Sequence, residues 1–256
     1  MGYQYKDVKN GRFVLGECLE VMRDIPNGYF DMILCDLPYG TTDCKWDILI
    51  PINELWAEYE RVAKENAAVV LTATQPFTTV LMSKGLEKKQ FKTFWIWNKG
   101  QSGSFALAKY HPLRITEDVL VFCNGNGALN TYNPIMRKGK LRKKGGAKSK
   151  NGVHSGLKQI DAKLSDEYYP TNLIEITNGR LGKIHPTQKP VELFEYLIKT
   201  YTNPGDRVLD NCAGSGTTAI ACENTSRKWV CIEQSEEYAN SALSRIENHE
   251  QGKAFT

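Results

Sequence analysis

Two short stretches put reactive side chains where apolar runs stop. "DMILCDLPYG" (31–40) ends a strand-like run in Asp36, followed by Leu37, Pro38 and Tyr39. Pro38 fixes its own φ and has no N–H, so the carbonyls of Leu37 and its neighbours can face outward as acceptors. A carboxylate, an adjacent carbonyl and an aromatic plane suit a flat group bearing an NH2, such as the edge of a nucleobase. The exocyclic nitrogen of adenine is a poor nucleophile because its lone pair is delocalised into the ring. Hydrogen bonds from its two hydrogens to Asp36 and to a backbone carbonyl would draw it towards tetrahedral geometry, with Tyr39 stacked on the ring. Such a base has to leave the duplex to be reached. Taken alone, the four residues read equally well as a strand-end turn, with Asp36 as a helix cap and Tyr39 as surface packing.

The second stretch is "VLDNCAGSGTTAIACE" (208–223), a buried strand ending in Asp210, a glycine-rich turn and the start of a helix. Gly214 and Gly216 would let the backbone approach a ligand, and the helix would present its first N–H groups to it. A nucleoside triphosphate would need a lysine after the second glycine, and none follows Gly216. A dinucleotide would prefer a third glycine where Ala219 stands. S-adenosylmethionine needs an acid at this strand end and another on the next strand for its ribose; Asp210 and Glu233, the latter ending "KWVCIE" (228–233), meet that need.

Both stretches require strands that carry their last residues to one edge. Strand-type and helix-type patterns alternate along the chain. Strands are expected over 12–17, 30–37, 67–74, 91–99, 116–123, 207–212 and 228–233, and helices over 18–26, 52–64, 76–86, 191–201 and about 236–248. Repeated strand–helix units predict an α/β fold, a mostly parallel sheet with helices on both faces. In such a sheet, ligands bind at the carboxyl ends of the strands.

From Asn124 to Ile160 there is no Asp or Glu, and "RKGKLRKKGGAKSK" (137–150) holds eight Lys or Arg residues. A charge run is usually a solvated face. Its glycine content predicts a segment that is mobile until a partner orders it.

Bulk composition excludes several classes. The chain has 256 residues, a net charge of +4 and seven cysteines without a CxxC pair, a pattern of reduced thiols rather than a disulfide framework. Four dispersed histidines give no zinc signature, so no metal is expected. The opening "MGYQYKDVKNGRF" has no apolar signal region and no stretch reaches the length of a membrane span, which predicts a soluble, cytoplasmic protein without membrane contact.

The motifs in this order resemble those of the S-adenosylmethionine-dependent DNA amino-methyltransferases, in the permuted (beta) group where the catalytic motif precedes the cofactor motif. "DLPYG" (36–40), "HPTQKP" (185–190) and "LDNCAGSGTTAIACE" (209–223) carry the likeness, and the opening "GECLEVM" (16–22) adds to it. The resemblance covers most of the chain outside about 124–184. The family's (D/N/S)PP(Y/F/W) turn is matched at Asp36, Pro38 and Tyr39 and departs at Leu37, a position that contributes its backbone. Asp in the first place is similar to the N6-adenine members; the N4-cytosine members tend to have Ser. Asp210-Asn211-Cys212 stands where relatives usually have Asp-Pro-Phe.

The resemblance implies a Rossmann-like methyltransferase fold with a seven-stranded, circularly permuted sheet, in which "RFVLGE" (12–17) lies beside "KWVCIE". It implies a catalytic half over 1–123, a target-recognition insertion over 124–184 and a cofactor half over 185–256. The cofactor set it implies comprises Glu17, Cys18, Thr187, Gln188, Lys189, Asp210, Asn211, Ala213, Gly214, Ser215, Gly216, Thr217 and Glu233. Within it, Glu233 would hold the ribose, Glu17 would lie next to the adenine, and Lys189 would lie beside the methionine carboxylate. Arg137, Lys138, Lys140, Arg142, Lys143 and Lys144 become expected contacts to the phosphates of double-stranded DNA. "WNKGQSGSF" (97–105) is a second candidate loop over the site. The expected activity is N6-adenine methylation. The alternatives are N4-cytosine methylation, methylation of RNA or of a protein glutamine, and a DNA-binding protein without catalysis. The family also allows a homodimer and a cognate restriction endonuclease as partners.

Overall fold

The computed structural model describes residues 3–40, 47–102, 105, 108–144, 163–178 and 188–254. They form two compact units, the larger made of Met1–Asn133 with Asn172–Thr256 and the smaller of Pro134–Thr171.

The larger unit is built on one nine-stranded sheet. Its strands are β1 (Gln4–Val8), β2 (Gly11–Leu15), β3 (Phe30–Asp36), β4 (Ala63–Ala73), β5 (Phe91–Asn98), β6 (Thr116–Cys123), β9 (Leu173–Glu175), β10 (Arg207–Asp210) and β11 (Lys228–Glu233). They lie in the order β1-β2-β11-β10-β3-β4-β6-β5-β9. Neighbours from β2 to β4 pair in parallel, and β6 runs antiparallel between β4 and β5. The strand at 12–17 does lie beside 228–233, with Cys231 opposite Phe13.

The helices are α1 (Cys18–Arg23), α2 (Ile52–Val62), α3 (Phe77–Glu87), α4 (Val191–Tyr201), α5 (Thr217–Thr225) and α6 (Glu236–Ala254). Alternate residues of the central strands feed two cores. Met32 and Leu34 join Val208 and the apolar faces of α4, α5 and α6 on one side of the sheet. Ile33, Cys35 and Leu209 join α1, α2 and α3 on the other. This is why β3 and β4 read as continuous apolar runs: both faces are covered. No helix among the described residues is long and apolar enough to cross a membrane.

From β3 the chain proceeds through α2 to β4 on one side; from β10 it proceeds through α5 to β11 on the other. The order therefore reverses between β3 and β10, which is where an open α/β sheet forms its crevice. Asp36 and Asp210 end these two strands.

Three features differ from expectation. Strands β1 and β9 extend the expected seven strands to nine at the two edges. β1 carries mostly exposed side chains and so no apolar alternation to reveal it. The expected helix over 52–64 stops at Val62, because Ala63 is already extended (φ −82°, ψ 145°) and opens β4.

In the smaller unit β7 (Arg137–Lys144) pairs antiparallel with β8 (Lys163–Tyr168), with a register shift between Lys138 and Arg142. The expectation of a mobile chain thus gives way, over Arg137–Lys144, to a strand. The partner strand supplies acids that the basic run lacks: Lys138 Nζ lies 3.3 Å from Asp166 and 3.2 Å from Glu167. The Tyr168 hydroxyl donates to the Lys140 carbonyl at 2.7 Å. A Cβ on Gly139 would come within 2.8 Å of the Tyr168 ring, so glycine is what lets that ring lie on the strand.

Candidate active site

A cavity of about 730 Å³ opens at the carboxyl ends of the central strands, lined by residues from both ends of the sequence. Asp36, Leu37, Pro38 and Tyr39 form one wall; Glu17, Cys18, Asp210–Ser215, Thr217 and Glu233 form another.

Asp36 leaves β3 with both carboxylate oxygens engaged. Its Oδ1 accepts the Tyr39 hydroxyl at 2.6 Å and the Thr72 hydroxyl; its Oδ2 accepts Lys189 Nζ at 2.6 Å. Lys189 is buried and also lies 3.4 Å from Glu117 Oε2, while Glu117 Oε1 accepts Lys99 at 2.9 Å. Burial alone would lower the lysine's pKa, but Asp36 and Glu117 outweigh it and hold the ammonium above its ordinary range. Burial first, and then the Asp36 charge, pushes the Tyr39 hydroxyl well above its usual value, so it remains a donor at neutral pH. The Tyr39 ring packs on Phe77 with centroids 5.5 Å apart.

On the other wall, Glu233 Oε2 accepts the Gly214 N–H at 2.8 Å and Oε1 accepts the Ser235 N–H at 2.9 Å. Burial raises its carboxyl above the ordinary value. Asp210 is more enclosed and accepts the Thr218 hydroxyl and the Cys212 N–H. Burial pushes it up to about 6. Asn211 accepts the Tyr59 hydroxyl at 2.6 Å. Glu17 caps α1, with Oε2 accepting the Glu20 N–H at 2.9 Å and Oε1 facing Cys18 Sγ at 3.3 Å. Hydrogen bonds with Cys18 and Cys35, together with burial, keep the Cys212 thiol well above its usual value.

The glycine-rich turn divides its glycines between two tasks. Gly214 lines the cavity with φ +49°. Gly216, with φ +71°, turns away from it: a Cβ there would meet Ala242 and Ile246 of α6 at 3.2 Å. Glycine at 216 is thus required by the packing of the turn against α6. Ala213, Ser215 and Thr217 are buried in the turn. Arg245 of α6 braces it, donating to the Ser215 carbonyl at 2.9 Å and to Thr217 Oγ1 at 3.1 Å.

Lys189 pairs its charge with Asp36 and Glu117, and its carbonyl accepts the Thr217 hydroxyl at 3.3 Å. Gln188 lines the cavity, and Thr187 lies outside the described residues. Of the 97–105 loop, Lys99, Gln101, Ser102 and Phe105 line the cavity. Arg137, Lys138, Lys140, Arg142 and Lys143 are exposed on β7 of the smaller unit; the Lys144 side chain is outside the described set. Sequence reasoning missed Thr72, Lys99, Glu117 and Arg245. A polar residue inside "AAVVLTAT" and an acid opening "EDVLVF" were the available signals for two of them.

Comparison with known proteins agrees with this geometry. The profile of a DNA methylase family of N6/N4 methyltransferases matches residues 30–244. A DNA adenine methyltransferase of Escherichia coli (strain K12), YhdJ, is 28% identical over 250 residues, covering 91% of this chain and 81% of that one. A type II methyltransferase of Moraxella bovis, M1.MboII, is 23% identical, covering 88% and 92%. Among solved structures, an M1.HpyAVI–SAM complex has a TM-score of 0.63 at 24% identity, covering 92% of this chain and 99% of its own. A cytosine-N4-specific PvuII DNA methyltransferase has a TM-score of 0.68 at 16% identity, covering 94% and 92%. With most of its length inside the family profile and its strand ends converging on one cavity, the chain belongs to the N6/N4 DNA methylase family and is a DNA methyltransferase.

Proposed function

We propose that the protein transfers a methyl group from S-adenosylmethionine to the N6 amino group of an adenine flipped out of double-stranded DNA. The observation that carries this reading is Asp36, whose carboxylate opens on the same cavity as Glu233 and the turn at 210–217. A carboxylate offers about four lone-pair positions. Tyr39 and Thr72 use two on Oδ1 and Lys189 uses one on Oδ2, which leaves an acceptor position on Oδ2 for an amino hydrogen of the base.

The residues present suit the cofactor. The cavity of about 730 Å³ falls within the size range of small-molecule sites. Glu233 is an acceptor fitted to a pair of sugar hydroxyls, and the Gly214 backbone comes close to it. When bound, S-adenosylmethionine supplies a methyl group carried on a positively charged sulfur. The chain's own part is to hold and orient. Asp36 and the carbonyl of Leu37 accept the amino hydrogens of the base, and Tyr39 offers its ring as a stacking plane. Such positioning and fixed electrostatics are what a transfer of this type requires of a protein. In this reading residues 1–123 receive the base, 185–256 the cofactor, and the basic strand within 124–184 the DNA phosphates. The type II names of relatives support a cognate restriction endonuclease, and a homodimer belongs to the same reading.

N4-cytosine methylation is the second reading. It is favoured by the likeness to the cytosine-N4-specific PvuII enzyme and by the equal fit of the same acceptors to a cytosine amino group. Mass spectrometry of hydrolysed DNA from cells expressing the protein or Asp36→Ala separates the readings. N6-methyladenine is expected with the native chain alone, with S-adenosylmethionine binding retained in the variant. N4-methylcytosine would replace the adenine reading, and near-normal turnover by Asp36→Ala would remove Asp36 from the reaction.

A further inference from the structure

Adenine presents two nitrogens side by side on the edge that must enter this site, the exocyclic N6 and the ring N1. N1 keeps its lone pair in the ring plane, outside the π-system, and is the stronger nucleophile. In free adenine a methyl donor reacts at N1 ahead of N6, so transfer to N6 is favoured both by the direction in which the donor is held and by anything that occupies the N1 lone pair. Asp36 cannot occupy it, because a carboxylate only accepts.

Lys189 can. Lys189 is among the residues that line the cavity, and its ammonium has three N–H groups. One is donated to Asp36 Oδ2 at 2.6 Å, and a second lies towards Glu117 Oε2, which is 3.4 Å from Nζ in an ion pair without hydrogen-bond geometry. Among the described residues no acceptor holds the third. The acceptor position left on Asp36 belongs to Oδ2, the same oxygen that Lys189 grips. A free acceptor and a free donor therefore stand next to one another. That pair complements an H–N–C=N edge, an amino group beside an unprotonated ring nitrogen. Guanine and thymine present a ring N–H at the corresponding place, donor against donor.

We propose that Lys189 donates to the ring nitrogen beside the target amino group, masking adenine N1 and directing the methyl group to N6, with Glu117 as the positioning residue that holds the ammonium. This rests on the reading of the protein as an adenine methyltransferase. Glu117 acts through Lys189: with Lys99 on its Oε1 and Lys189 by its Oε2, it completes a chain of two carboxylates and two ammoniums along the cavity wall. The methyl transfer forms the N6–C bond as the S–C bond breaks, its electron pair returning to the sulfur of the leaving thioether. The proton that N6 then sheds passes to solvent by way of the Asp36 carboxylate, while Lys189 keeps its own proton and only lends a hydrogen bond.

The test compares the native chain with Lys189→Met and Glu117→Gln on duplex DNA, and again on duplexes carrying 1-deazaadenine, in which N1 is replaced by C–H. Nucleosides are released near neutral pH, because alkali rearranges N1-methyladenine to the N6 isomer, and are resolved by chromatography and mass spectrometry. S-adenosylmethionine binding is measured by calorimetry, and folding by thermal melting. The native chain is expected to yield N6-methyladenine alone. Lys189→Met is expected to lose on the order of 10- to 100-fold in rate, the worth of one charge-assisted hydrogen bond, and to yield N1-methyladenine as well. Glu117→Gln should show a smaller shift in the same direction. Replacing N1 by C–H should slow the native chain by that factor beyond any slowing it causes in Lys189→Met.

Lys189→Met making only N6-methyladenine at a near-native rate would overturn the proposal. So would a loss of cofactor affinity that matches the loss of rate, which would assign the lysine to the methionine carboxylate. If Lys189→Met does not fold, Glu117→Gln on the two substrates carries the same comparison. Failure of the adenine reading is seen separately, in N4-methylcytosine made by the native chain; N3-methylcytosine from Lys189→Met then reports the masking.

Discussion

Asp36 and Asp210 end adjacent strands, yet their surroundings differ. Asp36 keeps an ammonium and two hydroxyls about it, while Asp210 is buried with one hydroxyl and one backbone N–H. Burial lifts Asp210 from the ordinary 3.8 to about 6. Between those values the native chain keeps a proton that the unfolded chain has released. Stability therefore falls as pH rises through this window, by roughly 3 kcal/mol in full, and is flat above it. In Asp210→Asn the amide oxygen can still accept the Cys212 N–H, and the Thr218 hydroxyl can turn to accept from the amide NH2. The variant should lack the titration and be the more stable protein at pH 8. Denaturant unfolding of both from pH 4 to 8 checks this, since the difference cancels other titrating groups. A difference that does not change with pH would contradict the burial argument.

At the scale of elements, helix α3 meets strand β6 through a glycine. A Cβ at Gly85 would lie 2.2 Å from Phe122 Cε1, and Phe122 is fully buried. Gly85→Ala gains up to about 1 kcal/mol in helix propensity. It also overpacks a core contact, which typically costs about 1–3 kcal/mol. Packing wins, so the variant should unfold at lower urea concentration; an unchanged or higher midpoint would show that the ring moves aside freely. Elements of this interior kind were legible in the sequence. β3, β4, β10 and β11 are apolar on both faces, and their acids and turns mark where they end. β1 was not legible, because an edge strand with exposed side chains has no burial pattern to print into its residues. The basic strand β7 was hidden by its composition, since the acids that steady it arrive from β8, more than twenty residues later. The site was legible in its motifs and not in its pairings. Spacing could not tell that Gly216 packs closely against α6, nor that the long side chain of Lys189 would find Asp36 and Glu117.

Over the whole molecule, charge is divided unevenly between the two units. Residues 134–171 hold ten Lys or Arg and three Asp or Glu, a net +7 in a chain of net +4, so the remaining residues carry −3. Attraction to a polyanion therefore comes from the smaller unit, against a body that repels it. Within that unit the cations are not equal. Lys138 is shared between Asp166 and Glu167, whereas Lys140, Arg142 and Lys143 stand exposed. If these three neutralise phosphates, replacing them together by alanine should make the dependence of DNA affinity on salt shallower by roughly 0.9 for each phosphate left without its cation. Replacing Asp166 and Glu167 by their amides should do the opposite, freeing Lys138 and steepening the slope. Cofactor affinity should hold in both variants, because among the described residues those that line the cavity belong to the larger unit. Fluorescence anisotropy with a labelled duplex across a salt series measures both slopes. Two slopes equal to that of the native chain would remove the hairpin from the DNA interface and leave its charge as a solvated face.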